Sequence, residues 1–154
     1  MRCVLFTIAF LFSLNILAQK KSDSLAIVQL LKEDYSTLMT YDVNKHMKHC
    51  TNDYLLIENG EIWNIEKEAE WYKKNAIKNA NIIYDRKDYF NFKLLKISGN
   101  TAYTVFELIS EIMKNGSLTT KRYNESAVFC KVQGKWKIAL IHSTPVTNPV
   151  ATIR

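Results

Sequence analysis

The stretch from Glu125 to Pro145 reads ESAVFCKVQGKWKIALIHSTP. Two runs rich in Val, Ile, Phe and Trp flank Gln133-Gly134, a pair suited to a tight turn. The spacing predicts a hairpin of two strands, Leu118–Val132 and Lys135–Thr144. With a two-residue turn, Phe129 faces Ile138, Ala127 faces Leu140 and Glu125 faces His142. A three-residue turn with a bulge at Gly134 shifts the pairing by one and sets Asn124 opposite His142. The first register is preferred because it gathers Tyr123, Ala127, Phe129, Trp136, Ile138 and Leu140 on one face. It also puts a carboxylate beside an imidazole at the open end of that apolar face.

Similar punctuation recurs upstream. Asn115-Gly116 and Ser98-Gly99-Asn100 separate the strand-like runs Thr101–Met113 and Asp85–Ile97. Asn59-Gly60 turns within DYLLIENGEIW, Asp53–Trp63. Before the meander the pattern is helical. Asn64 can cap a helix over Ile65–Asn79, whose first turn carries Glu66 and Glu68 at the positive helix end. A short helix is expected over Val43–His49. A longer one over Ser22–Asp42 sets Val28, Leu31, Tyr35, Leu38 and Met39 on one apolar face. Helices first and a long antiparallel meander after them imply an α+β fold, a cone-shaped curved sheet wrapped around N-terminal helices.

The 154 residues suffice for one domain with a core, and 47% hydrophobic content excludes a disordered chain. The N-terminus stands apart. Arg2, an apolar run from Val4 to Leu17 and then Ala18 have the layout of a secretory signal peptide, residues 1–18. The run is shorter than the roughly 20 residues of a spanning helix. Cys3 precedes it and no cysteine directly follows Ala18, which argues against a lipoprotein anchor. The expected mature protein is a single domain, 19–154, exported to the periplasm or secreted, with no membrane association after cleavage. Export permits a disulfide between Cys50 and Cys130, although separate burial is the commoner outcome for two distant thiols. The net charge of +6 is spread along the chain and forms no concentrated basic stripe, so no nucleic-acid partner is expected.

Inward residues of a curved sheet roofed by helices line a cavity, the usual place for a ligand. The candidates are Tyr35, Met39, Tyr54, Trp63, Trp71, Phe90, Phe92, Tyr123 and Leu140. Glu125 and His142 are the candidate catalytic pair, base and orienter with pKa values tuned toward neutrality. The alternative is a structural pair, each group satisfying the other. Arg86 and Arg122 offer a clamp for an acidic group, so the expected ligand is small and apolar or acidic. His46 and His49 share a helix face, but no carboxylate follows at familiar spacing and Lys45 and Lys48 repel a cation; no metal or cofactor is expected.

The segments DYLLIENGEIW, ISGNTAY (Ile97–Tyr103) and ESAVFCKVQGKWKIALIHST resemble the nuclear transport factor 2-like superfamily, which includes ketosteroid-isomerase-like and SnoaL-like proteins. They look most like its small exported bacterial branch, described as domains of unknown function. The resemblance covers about Ser22–Thr147. It implies a homodimer formed through the outer sheet face, and a place among isomerases, lyases, hydrolases or non-catalytic ligand and protein binders. In the similar kinase-association relatives a histidine occupies the place of His142, which implies an inward His142.

Overall fold

The computed structural model of the chain describes residues 2–147, with side chains from residue 19 onward. The elements in order are α1 (Arg2–Thr40), α2 (Val43–His49), β1 (Cys50–Glu58), β2 (Glu61–Asn64) and α3 (Ile65–Asn79). Four long strands follow: β3 (Tyr84–Ser98), β4 (Thr101–Lys114), β5 (Ser117–Val132) and β6 (Lys135–Pro145). The side chains of the expected leader, residues 1–18, lie outside the described residues. Among the described residues, no helix is long and apolar enough to cross a membrane.

Local chemistry accounts for the element ends. Asn64 Oδ1 accepts from the Lys67 amide at 3.0 Å and starts α3, and Asp42 Oδ1 caps α2 the same way through Lys45. Tyr41 ends α1 at φ 53°, and the Asp42 amide reaches back to the Thr37 carbonyl. This is a Schellman closure with tyrosine where glycine is usual. The pairs Asn59-Gly60, Asn115-Gly116 and Gln133-Gly134 each hold two successive positive φ values. That is the turn whose twist matches the flanking strands.

The six strands form one sheet in the order β2-β1-β6-β5-β4-β3. The meander β3–β6 is antiparallel as expected, but β1 joins β6 in parallel, which makes the sheet mixed. Register shifts occur in β1 between Cys50 and Leu55, in β3 between Phe92 and Leu94, and between the paired Val128 and Phe129 where β6 carries an extra residue at Ala139. Such irregularities bend strands and increase their twist, which lets the sheet curl.

The core lies between α1 and the concave face. Ile27, Leu31 and Tyr35 from α1 meet Phe106, Phe129 and Ile138 from the sheet. Each such large apolar side chain contributes roughly 1.5–3 kcal/mol by leaving water. Asp23 ties the helix to the far hairpin: its Oδ1 accepts from Trp136 Nε1 at 2.9 Å and pairs with Lys131 Nζ at 2.7 Å. Both Cys50 and Cys130 are free thiols.

Candidate functional site

A cavity of about 310 Å³ lies between α1, α3 and the curled sheet. Glu125 from β5 forms part of its wall and is 4% exposed. The Tyr35 hydroxyl from α1 donates to Oε2, and the Ser143 hydroxyl from β6 donates to Oε1 at 3.0 Å. Burial pushes the Glu125 carboxyl up to about 7, against these two hydrogen bonds, which favour the charged form. The Tyr35 hydroxyl is raised well above its ordinary range by burial and by the Glu125 charge, so it stays a donor.

His142 is not the partner of Glu125. Near the turn the expected register holds, with Phe129 opposite Ile138. The extra residue at Ala139 then shifts the pairing, so Val128 meets Leu140, Ser126 meets His142 and Glu125 meets Ser143. The buried positions of β6 are accordingly Trp136, Ile138, Ile141 and Ser143. His142 is exposed on the outer side, next to Ile57 of β1, so the expected inward orientation is corrected along with the pair.

The other candidates divide. Tyr35, Tyr54, Trp63, Trp71 and Tyr123 line the cavity. Met39 and Phe90 line a neighbouring recess beside Tyr35 and Arg86. Phe92 packs on Phe90 and Phe106 as core. Leu140 pairs with Val128 and Leu55 and does not line the cavity, because the shift at Ala139 moves it off the inner face. Arg86 reaches the cavity wall, but its Nε is held by both Asp88 oxygens at 3.0 and 2.8 Å and its Nη2 by Ser110 at 3.1 Å. Arg122 is exposed and outside the lining. The two arginines therefore form no clamp.

A second polar cluster escaped sequence reasoning. His46 is 1% exposed; its Nδ1 lies 3.0 Å from Asp34 Oδ1, and its Nε2 lies 3.3 Å from Glu68 Oε2. His49 Nδ1 shares Asp34 Oδ1 at 3.0 Å. Tyr72 stacks on the His46 ring at 4.9 Å, and its hydroxyl meets Thr37 Oγ1 at 2.8 Å. Burial alone would lower the His46 pKa; Asp34, Cys50 and Glu68 outweigh it and hold the imidazolium well above the ordinary range. Asp34 is held below its usual value despite burial, by His46 and His49. Cys50 Sγ lies 3.8 Å from His46 Nε2, which suggests a nucleophile and its base. Its thiol, however, is pushed up to about 11 by burial, and neither Cys50 nor His46 lines the cavity. Asp34, His46 and Cys50 bring three possible metal-ligand atoms within 4.8 Å. Both ring nitrogens already face carboxylates, so the arrangement is that of an imidazolium between two anions. The available sequence signal was Asp34 itself, a charge set inside the apolar stripe Ile27-Leu31-Tyr35-Leu38.

No protein-family model and no curated protein matches the chain. Solved structures do. An NTF2-like protein from Cytophaga hutchinsonii is 17% identical with TM-score 0.62, covering 78% of this chain and 95% of its own. The CaMKII hub homology domain of Chlamydomonas reinhardtii is 14% identical with TM-score 0.72, covering 81% and 99%. An NTF-2-like protein of unknown function from Shewanella oneidensis is 23% identical with TM-score 0.60, covering 79% and 98%. The chain has the nuclear transport factor 2-like fold. Nuclear transport factor 2-like domains at these identities share the architecture alone, and the architecture does not choose a chemistry.

Proposed function

We propose that this chain is a small-molecule-binding domain whose site is the Glu125 cavity. The observation that carries the reading is a buried carboxylate that, among the described residues, is hydrogen-bonded by two neutral hydroxyls, in the wall of a 310 Å³ space. Ligand sites combine such volume, apolar and aromatic walls and a few placed polar groups. Leu38, Leu56, Leu108 and Ile141 supply the apolar surface here. A thermal-shift screen of a fragment library against residues 19–154 tests it. Ligands that bind the folded state raise the melting temperature with concentration, and Leu108→Trp, which fills the cavity, abolishes the shift. A library without one such compound counts against a binding pocket.

Self-association is a second reading. Tyr103 and Val105 stand exposed on the outer face of β4, and the similar solved structures include kinase hub and association domains. Light scattering of the purified domain distinguishes a monomer from a homodimer. The leader expected at residues 1–18 makes export part of the proposal. Intact-mass analysis of the protein made by a secreting bacterial host would find an N-terminus at Gln19; retention of Met1 rules it out.

A further inference from the structure

We propose that the Glu125 cavity selects a small organic cation, an amine or ammonium carried on an apolar body; this rests on the small-molecule reading above. The sequence suggested an acidic ligand through Arg86 and Arg122, and the structure removes both as free cations. Arg86 is neutralised by Asp88, and Arg122 lies elsewhere. The remaining charges of the lining are Asp34, Glu58, Glu68 and Glu125 against Lys121, whose side chain is exposed. Behind the wall, the His46 imidazolium stands between Asp34 and Glu68 and His49 also meets Asp34, which leaves Glu58 and Glu125 against Lys121. The lining therefore keeps an excess of carboxylate.

Two buried polar atoms of the wall lack an aligned hydrogen bond among the described residues. Glu68 is 8% exposed, and its Oε2 has no hydrogen bond, since the 3.3 Å approach of His46 is an ion pair without hydrogen-bond alignment. Tyr54 is 1% exposed, and burial first and then the adjacent Glu68 charge hold its hydroxyl protonated. Both residues line the cavity. These atoms are themselves closed to solvent, so the Glu68 charge acts on an ammonium in the cavity through space rather than by direct contact. Burial first and the neighbouring Glu68 charge second push the Glu58 carboxyl upward, and Lys121 and Arg86 offset this only in part. Tyr54, Trp71 and Tyr123 add aromatic surface, which attracts cations through its ring quadrupole.

The test uses matched triplets: phenethylamine, phenethyl alcohol and 3-phenylpropionate, with the corresponding hexyl and cyclohexylethyl series. Binding to residues 19–154 is measured by calorimetry at pH 7.5 in low salt. The amine of at least one series is expected to bind about tenfold tighter than its alcohol, with no measurable binding of the carboxylate. Glu58→Gln, at the C-terminal end of β1 and outside the His46 cluster, is expected to weaken the amine about three- to fivefold and leave the alcohol unchanged. Circular dichroism confirms the fold of the variant. Alcohols or carboxylates binding as tightly as the amines overturn the cation inference while the binding function stands. Silence from all three series, together with a fragment screen that has no hits, overturns both.

Discussion

Asp34 and Tyr35 are neighbours on α1, yet they serve two different polar clusters. Asp34 belongs to the closed one, where a buried imidazolium stands between two carboxylates. Tyr35 belongs to the open one, where Glu125 is held by two hydroxyls and faces the cavity. In the first, opposite charges compensate each other, and the pKa values move apart to keep both ionised. In the second the Arg86 guanidinium, already paired with Asp88, offsets burial only in part, and the carboxyl rises to about 7. The residue types are similar. Whether a buried carboxylate meets a charge or only a dipole decides whether it braces the fold or stays chemically adjustable.

The largest expected effect breaks the closed cluster. His46→Gln leaves Asp34 and Glu68 buried without their cation, and the cost should be about 3–5 kcal/mol in urea unfolding. At pH 5, where the Glu125 carboxyl is neutral, Glu125→Gln keeps shape, burial and charge, so its cost there should stay within about 1 kcal/mol. Equal losses in the two variants would erase the distinction between the clusters.

The next effect is a pH dependence. The folded pKa of Glu125, about 7, lies above its ordinary 4.5, so the native state keeps a proton that the unfolded chain has lost. Its contribution to stability is complete below pH 4.5, falls as pH rises toward 7, and is gone above that. The loss is at most about 3 kcal/mol. Glu58 titrates in the same direction, and the raised His46 also favours the native state less as pH rises above 6.5. The difference between wild type and Glu125→Gln, measured at pH 5 and at pH 8, isolates Glu125; a parallel pair of curves would refute the assignment. Tyr35→Phe sharpens the same point at smaller scale. Loss of a donor to the charged form should move the Glu125 transition upward and cost about 1 kcal/mol at pH 8. Smallest of all, His142→Ala should change stability by less than about 0.5 kcal/mol, as for other exposed positions. A larger loss would restore the histidine to the inner face.

Much of the fold was legible because its signals are local. Asn64, the Asn-Gly pairs and Gln133-Gly134 act within four residues of themselves. The bounds Val43–His49 and Ile65–Asn79 follow from that, and so does the Phe129–Ile138 pairing. The parallel docking of β1 on β6 has no such signal, because it joins segments about 85 residues apart. The site was half legible. Glu125 stands out as a carboxylate in an apolar alternation, but its partner was misread. Ile138-Ala139-Leu140-Ile141 is a continuous apolar run, and inside it alternation carries no parity. One extra residue anywhere in the run exchanges His142 for Ser143.

The sequence by itself determined the order of helices and strands, the turns between them and an inward Glu125, since each depends on residues close in the chain. Only the tertiary structure decided what surrounds the buried charges. The curl of the sheet and the docking of three helices bring Asp34, His46 and Glu68 together, and seat Tyr35 against Glu125. Those distances are set by packing between segments, and no local pattern encodes them.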